Sequence, residues 1–337
     1  MSDTPRSKDL IPFSRENDDD ITLRPKKLND FVGQDRVRAN LNIFIQASLT
    51  RGEPLDHVIL YGPPGLGKTT LASIIANEMN SSIRYLSGPS LTRSGDVASI
   101  LTTIASGDIL FIDEVHRLPR ACEEILYSAM EDFALDILIG KGPGARNIRI
   151  ALPPFTLIGA TTRISLLSAP LRNRFGIIEK LDFYDQDDLS SIVLRSATVM
   201  NMPIDQEAAD EVARRSRGTP RIANRILKRI RDFAQYYGKT SIDKTQVKDA
   251  LDCLEIDSMG LTRMDRTLLT ILLDQYHGGP VGINNLAMML GEDSATVEEV
   301  YEPFLIKIGF LIRTPRGRMI TPQGHLYLRG ESLYESF

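Results

Sequence analysis

The sequence predicts an α/β core with a parallel sheet and helices on both faces, then a small all-α domain and a C-terminal winged-helix domain. Three observations predict this organisation. Short apolar runs alternate with helical patterns between residues 57 and 183, and strand patterns are absent from 185 to 255. Three helical patterns and a two-stranded pattern then close the chain. Alternating strands and helices are typical of a parallel sheet.

The core contains four strand candidates and one insertion. A helical pattern at 35–50 precedes strands expected at 57–61, 83–86, 109–113 and 155–160. Two β-rich runs, 134–139 and 147–152, are joined by a glycine-rich segment. This pattern predicts a β-hairpin inserted at 134–152, just before the last of these strands.

Helical patterns fill most of the remaining chain. In the small domain they cover 187–200, 206–216, 220–236 and 244–254. The winged helix is expected to consist of helices at 263–275, 283–290 and 295–308, followed by a two-stranded wing. The predicted divisions are a flexible tail at 1–20, a large domain at 21–184, a small helical domain at 185–256 and a winged-helix domain at 257–337.

Composition excludes several classes of protein. The 337 residues are 42% hydrophobic and 25% charged, ordinary for a globular chain of two or three domains. The formal charge of −4 means that any nucleic-acid contact must be local. Cys122 and Cys253 lie far apart, which indicates reduced thiols in a cytoplasmic protein. The apolar stretch 304–312 is too short to span a membrane.

Residues 62–69 read Gly-Pro-Pro-Gly-Leu-Gly-Lys-Thr, which matches the phosphate-binding pattern G-x-x-x-x-G-K-[ST]. A short apolar strand precedes this loop and a helical pattern follows it. Backbone N–H groups of such a loop point at phosphate oxygens, and the helix N-terminus favours an anion. Lys68 adds a positive charge near the β and γ phosphates, and Thr69 offers a hydroxyl to Mg²⁺. The loop indicates a nucleoside triphosphate without choosing between adenine and guanine.

Two carboxylates follow the apolar run 109–112. Asp113 and Glu114 are expected at the C-terminal end of a buried strand, where α/β sheets bind ligands. Asp113 can hold the Mg²⁺ shell, while Glu114 can orient and deprotonate the attacking water. An acidic helix cap would give the same pattern, but the phosphate loop favours the catalytic interpretation.

Further polar residues follow the strand at 155–160. A hydroxyl in Thr161-Thr162 could contact the γ-phosphate or the attacking water, although a plain turn would look the same. Arg172 and Arg174 stand beside Phe175, and a guanidinium supplied in cis or trans stabilises phosphoryl transfer. Solvated arginines remain the alternative.

A basic run covers residues 214–231 and contains no acid. Most of these side chains are expected to form a solvated or inter-subunit face. Arg221 is the exception, because Thr219 is a natural N-cap and Pro220 suits the first helical position. Arg221 would therefore lie in a first helical turn that points back at a ligand.

These motifs together resemble the RuvB family, the bacterial Holliday-junction branch-migration motors of the AAA+ class. The similarity runs from about residue 20 to the C-terminus. The segments that carry it are 23–34, 62–69, 111–118, 159–163, 170–176, 218–221 and 313–318.

The resemblance implies an ATP hydrolase with a P-loop AAA+ core that uses ATP and Mg²⁺. The implied nucleotide-binding residues are Leu23, Arg24, Gly62, Gly65, Gly67, Lys68, Thr69, Thr70, Glu131, Asp132, Phe133, Thr162, Tyr184 and Arg221. Thr69 and Asp113 would bind the metal. Asp113, Glu114 and Arg174 would be catalytic, with Arg174 acting as an arginine finger on a neighbouring subunit. Thr161 is the alternative to Thr162, and Arg172 fits the finger pattern less well.

The resemblance also implies partners. It implies a homo-oligomeric ring, a hexamer, on the duplex arms of Holliday junction DNA, in recombination and in repair linked to the SOS response. RuvA would dock on the hairpin, with Leu138, Ile148 and Ile150 as candidate apolar contacts, or these residues would simply pack on the sheet. RuvC would join in a resolution complex. No membrane partner is implied.

Charge patterning suggests how the winged helix meets DNA. The segment 292–302 contains five acids, which a duplex would repel. The wing region 313–329 contains no acid and carries Arg313, Arg316 and Arg318. We expect sequence-independent phosphate contacts through this wing, unless these arginines are merely solvated.

Two other classes of function remain open at this level. An AAA+ initiator-type switch would use ATP as a ligand and bind DNA, but the acidic third helix and the Asp113–Glu114 pair count against it. A protein-remodelling ATPase would grip polypeptide with the hairpin, which leaves the arginine wing without a purpose. DNA-stimulated turnover without sequence preference would separate an ATP-driven DNA translocase from the initiator-type switch.

Overall fold

The computed structural model describes residues 23–139 and 146–330. The predicted tail at 1–20 lies outside these residues. The chain divides into two compact units, Met1–Phe183 and Tyr184–Phe337. The first unit holds the sheet and the hairpin, and the second holds the helical segment and the winged helix.

A five-stranded sheet forms the centre of the first unit. Its strands are β1 (Val58–Tyr61), β2 (Ile83–Ser87), β3 (Ile109–Asp113), β6 (Thr156–Thr161) and β7 (Ile177–Lys180). They lie in the order β2-β3-β6-β1-β7, and every adjacent pair is parallel. The middle strands β1, β3 and β6 are almost wholly apolar and buried, as expected for a sheet covered on both faces. The predicted parallel α/β core is confirmed.

The strand β7 was not predicted from the sequence. Its residues alternate between buried and exposed, and among the described strands it pairs with β1 alone, at one edge of the sheet. The helices of this unit are α1 (Asp35–Arg51), α2 (Lys68–Glu78), α3 (Ser94–Leu101), α4 (Arg120–Glu131) and α5 (Ala169–Arg172). Buried side chains of α3 and α4 pack with the central strands in one apolar cluster.

The predicted hairpin is present between α4 and β6. Its strands β4 (Ala134–Ile139) and β5 (Arg146–Ala151) are antiparallel and pair only with each other among the described strands. The base of the hairpin is buried at Ala134 and Leu135. The hairpin is therefore anchored at its base and is not an extension of the central sheet.

Four helices begin the second unit: α6 (Gln186–Val199), α7 (Gln206–Arg214), α8 (Pro220–Tyr236) and α9 (Lys244–Cys253). Strong amphipathic patterning places alanine, valine, leucine and isoleucine side chains between these helices. The start of α8 is as predicted, with Thr219 at the N-cap and Pro220 at the first position. The Thr219 hydroxyl does not cap the helix but is directed to the Ser216 carbonyl, 3.4 Å away.

A winged helix completes the second unit. Helix α10 (Arg263–Thr270) continues as a π-turn over Ile271–Gln275, and α11 is Ile283–Leu290. The third helix runs through α12 (Ser294–Thr296), a π-turn at Val297–Tyr301 and α13 (Glu302–Lys307). The wing is the antiparallel pair β8 (Leu311–Thr314) and β9 (Gly317–Ile320), and an unpredicted helix α14 (Pro322–Arg329) follows.

Within the described ranges, the helices are all too short or too polar to cross a lipid bilayer.

Candidate functional site

The phosphate loop connects β1 to α2 in the first unit. Gly62, Gly65 and Gly67 all have positive φ, a backbone conformation that glycine adopts readily, before α2 begins at Lys68. A Cβ on Gly62 would lie 2.3 Å from the Leu181 carbonyl oxygen, so only glycine fits there. The Lys68 side chain is buried and its Nζ donates to the Gly62 and Pro63 carbonyls at 2.8 Å. The loop therefore has the shape and charge of an anion cradle.

The acidic pair lies at the same edge of the sheet as the phosphate loop. Asp113 ends β3, and β3 is joined to β1 through β6, so the carboxyl ends of these three parallel strands meet. Asp113 Oδ1 accepts from the Glu114 N–H at 2.9 Å. Glu114 has a φ of 49°, and this left-handed turn carries its side chain out of the strand. Its carboxylate accepts from Arg117 Nη1 at 3.0 Å.

The two threonines at the end of β6 have different surroundings. The Thr161 hydroxyl is buried, lies 2.9 Å from His116 Nδ1 and accepts from the Arg163 N–H at 3.0 Å. Thr162 is half-buried. Because the Thr161 hydroxyl is already bonded inside the protein, Thr162 remains the better candidate for contact with a phosphate. His116 belongs to the motif at 111–118, but no role for it was predicted from the sequence.

Arg174 is held within its own subunit by α4 and α5. Its guanidinium donates to Glu131 Oε2 at 2.5 Å and to the Pro170 and Tyr127 carbonyls at 2.8 and 3.2 Å. It also lies 4.8 Å above the Tyr127 ring, although about a quarter (26%) of its side chain stays exposed. Arg172 is exposed on α5. Sequence reasoning placed Glu131 near the nucleotide but missed Tyr127, because an aromatic residue on a helix has no distinctive spacing.

The residues after Glu131 connect α4 to the hairpin. Asp132 is exposed and pairs with Arg149 of β5 at 2.6 Å. Phe133 packs against the rings of His57 and Phe155. His57 is buried, and burial lowers the pKa of its imidazole.

The remaining nucleotide candidates are divided between the units. In the first unit, Leu23 is buried and Arg24 is half-buried. In the second unit, the Tyr184 side chain is buried and its N–H donates to the Gly218 carbonyl at 3.0 Å. Arg221 is exposed in the first turn of α8, as its position after Pro220 predicts.

The basic run in the second unit is not wholly solvated. Arg215 and Arg217 are 6% and 8% exposed, and Lys228 is also buried. Glu211, which lies just before the run, pairs with Arg214 and Arg215. Burial would raise the pKa of Glu211, but these two guanidinium groups hold it below its usual range. The expectation of a solvated face is wrong for Arg215 and Arg217, because both are buried and Arg217 is paired with Asp265, far away in sequence.

Wing arginines differ in how they are bonded. Arg313 and Arg318 each donate through Nε to the carboxylate of Glu302 at 2.6 Å. Glu302 is fully buried, so this acid of the third helix faces the wing and not a duplex. Arg316 is exposed in the turn between β8 and β9.

The hairpin exposes apolar side chains. Ile148 and Ile150 are 44% and 37% exposed, which is unusual for isoleucine on a strand. The alternative of packing on the central sheet does not hold for these two residues. The backbone of Leu138 pairs with Asn147, and its side chain lies outside the described part of the chain.

Comparison with protein families gives three consecutive matches. The model of the Holliday junction DNA helicase RuvB P-loop domain matches residues 23–181. The RuvB AAA lid domain matches 184–257, and the RuvB C-terminal winged helix domain matches 258–329.

Similar proteins cover nearly the whole chain. A Lacticaseibacillus casei protein described as Holliday junction branch migration complex subunit RuvB is 56% identical over 318 residues, 94% of each chain. A Limosilactobacillus reuteri protein with the same description is 54% identical over 313 residues, 93% of each chain. The solved structure of the Thermotoga maritima RuvB Holliday junction branch migration motor has a TM-score of 0.84 at 49% identity, covering 91% of this chain and 98% of that one.

Proposed function

The chain belongs to the RuvB family, and we propose that it works as a ring of identical subunits that hydrolyses ATP to move Holliday junction arms. It is a P-loop AAA+ ATPase and a branch migration motor. The observation that carries the proposal is the meeting of the phosphate loop and the Asp113–Glu114 pair at one edge of the sheet, in a chain that ends in a winged helix.

The chemistry of the loop and the acidic edge fits ATP and Mg²⁺. Lys68 and the N–H groups of the loop would bind the phosphates, with Thr70 beside them at the start of α2. Thr69 and Asp113 offer the oxygen ligands that Mg²⁺ prefers. A metal ion held by these two residues would neutralise charge that builds up on the transferred phosphoryl group. Glu114 would orient and deprotonate the attacking water once its carboxylate leaves Arg117.

Completion of the site requires a second subunit. Arg174 would reach the γ-phosphate of a neighbour as an arginine finger, with Glu131, Asp132 and Phe133 on the same side of the subunit. Leu23, Arg24 and Tyr184 would frame the adenine end, while Thr162 and Arg221 would sense the γ-phosphate. A finger that acts in trans implies a closed ring, and we infer a hexamer from the resemblance to this family.

The winged helix would contact duplex DNA through its wing without reading bases. Arg316 at the exposed turn is the strongest candidate for a phosphate contact. Arg313 keeps 44% of its side chain exposed and can share that role, whereas Arg318 keeps 14%. Such contacts suit a motor that must move along any sequence.

The hairpin would dock on RuvA. The exposed side chains of Ile148 and Ile150 support this proposal, because they form an apolar surface on an insertion outside the sheet. Leu138 remains a candidate by position. RuvC would join the same complex when the junction is resolved. The free thiols of Cys122 and Cys253 suit a reducing cytoplasm.

The proposal is tested by the rate of ATP hydrolysis with and without duplex DNA, using several unrelated sequences, and with RuvA and a four-way junction. We expect DNA to raise kcat to a similar extent for every duplex and RuvA to raise it further on a junction. Stimulation by one sequence alone would favour an initiator-type switch. A kcat for ATP hydrolysis that is the same with and without DNA would contradict the proposal.

A further inference from the structure

The turn between α7 and α8 has an unusual backbone at Arg217. Its φ is 56°, and Gly218 follows with a φ of 74°. A left-handed conformation is uncommon for a residue with a side chain and is retained only where surrounding contacts enforce it. This turn sets the direction in which α8 begins, because Thr219 is the N-cap and Pro220 the first helical residue.

The contacts that hold Arg217 come from the winged helix. Its Nε donates to the Gly260 carbonyl at 2.8 Å, and its guanidinium forms an ion pair with Asp265 at the start of α10. The guanidinium also lies 5.0 Å from the centroid of the Phe304 ring in α13. Arg217 is buried, so these contacts are shielded from salt and water.

The Asp265 carboxylate is held in place by Thr262 as well as by Arg217. Asp265 is fully buried, and its carboxylate accepts from the N–H and the hydroxyl of Thr262 at 2.7 and 2.5 Å. These bonds form the capping box of α10. The ion pair therefore joins the turn before α8 directly to the first helix of the winged helix.

Two more arginines bond the same turn to the connecting segment. Arg215 donates to the Ile256 carbonyl at 3.0 Å, and Arg214 donates to the Ser258 carbonyl at 2.9 Å. A Cβ on Gly260 would lie 2.7 Å from the Arg215 carbonyl oxygen, so the two backbones are in close contact. The connection between the helical segment and the winged helix is thus bonded along its length and is not a free hinge.

We propose that Arg217 is a positioning residue that transmits displacement of the winged helix to Arg221, four residues further along the chain. The Arg217 guanidinium is engaged by Gly260 and Asp265 of the winged helix. It fixes the start of α8 to the winged helix, so a pull of DNA on the wing changes the placement of Arg221. This inference rests on the proposed function, in which Arg221 senses the γ-phosphate.

The test uses the double variant Arg217→Met/Asp265→Asn in the full-length ring. Methionine keeps an apolar chain against Phe304, and asparagine keeps an acceptor for the N–H of Thr262. Replacing both charges avoids leaving one of them buried without a partner. The matched control is Arg229→Met, the same substitution at an exposed arginine of α8 whose ion pair is with Asp232 of the same helix. Basal kcat, KM for ATP, duplex affinity and duplex-stimulated kcat are measured for each.

We expect the double variant to keep its basal kcat and duplex affinity, while stimulation by duplex DNA falls about fivefold or more. The control keeps wild-type stimulation. Equal stimulation in the wild type and the double variant would overturn the inference and leave the proposed function standing. Absence of stimulation in the wild type would overturn the proposed function, and the inference with it.

If the double variant does not fold, Arg217→Lys provides the second test. Lysine keeps the charge opposite Asp265 but loses the planar fork that also reaches Gly260. We expect reduced stimulation at unchanged duplex affinity. Wild-type stimulation in this variant would contradict a role that depends on the guanidinium.

Discussion

Arg318 and Glu302 form an ion pair between the wing and the third helix, with Nε donating to Oε1 at 2.6 Å. Glu302 is fully buried, and its other oxygen accepts from Arg313. One carboxylate therefore fixes two of the three wing arginines and offsets part of their charge. Arg316 lies outside this cluster in the exposed turn. In the wing, Arg313 and Arg318 therefore fix the strands to the third helix, whereas Arg316 is placed to contact a DNA phosphate.

Arg316→Ala should weaken duplex binding. The loss should be similar for unrelated sequences, because phosphate contacts carry no base information. Each lost phosphate contact also lowers the slope of log K against log salt by about one. Affinity measured over a range of salt concentrations with two unrelated duplexes checks this. A loss confined to one sequence would mean that the wing reads bases.

Arg318→Ala should act differently, because it removes a partner of a buried carboxylate. We expect the winged helix to lose about 3 kcal/mol of stability, since Arg313 still pairs with Glu302. Duplex binding also weakens for all sequences, with a flatter salt dependence. Denaturant unfolding compares this variant with Arg316→Ala, whose stability should stay close to that of the wild type. Equal stability of the two variants would show that the ion pair contributes little.

Arg174 must leave Glu131 to reach a neighbouring subunit. We expect Arg174→Ala to lower kcat by about 10³-fold, the low end for an arginine finger. Mixing it with Lys68→Ala subunits should restore some ATP hydrolysis, because an intact loop then meets an intact finger. Arg172→Ala, which removes an exposed arginine two residues earlier at the end of α5, is the control and should keep its activity. Failure to recover activity at every mixing ratio would exclude action in trans.

His57 should make the stability of the first unit depend on pH. Its Nδ1 accepts from the Leu157 N–H at 2.9 Å and its Nε2 lies 3.1 Å from the Met130 carbonyl, so only the neutral ring satisfies both bonds. Burial lowers the folded pKa below 6.5. The unfolded chain therefore binds the proton first, and stability falls as pH drops below 6.5 toward the lowered folded value.

The size of this loss is about 1.4 kcal/mol for each unit by which the folded pKa is lowered. His57→Gln keeps one donor and one acceptor but does not titrate, so its stability should change less between pH 7 and pH 5. Urea unfolding gives the free energy of unfolding of both proteins at both pH values. The other histidines contribute equally to the two proteins, so their effect cancels in the comparison. Identical pH dependence of the two proteins would contradict a neutral buried His57.

The parallel core and its acidic edge could be predicted because they depend on local pattern. The apolar run 109–112 predicts a buried strand, and the two acids that follow it, together with the glycine-rich loop at 62–69, predict the site. The edge strand β7 was missed because Ile177–Lys180 is short and alternates, which a loop can also do. Helix α14 (Pro322–Arg329) was missed because its sequence is polar. In the structure, Tyr327 of this helix stacks on Phe310.

Pairings between distant residues could not be predicted. The acids at 292–302 and the arginines at 313–318 looked like opposed surfaces, whereas Glu302 is the internal partner of Arg313 and Arg318. In the same way, Arg217 looked like one of many solvated arginines until the fold placed it on Asp265, 48 residues away. The sequence shows how many charged residues a segment contains, but only the tertiary structure shows which of them form ion pairs.

The central claim is that ATP hydrolysis by this chain moves the arms of a Holliday junction. Branch migration of a synthetic four-way junction tests it most directly. The assay contains RuvA, ATP and either the wild type or Glu114→Gln, with duplex products resolved over time. We predict products with the wild type and about 10²-fold slower formation with Glu114→Gln, which loses the base that activates water. Equal rates for the two proteins, or no products from the wild type, would contradict the account.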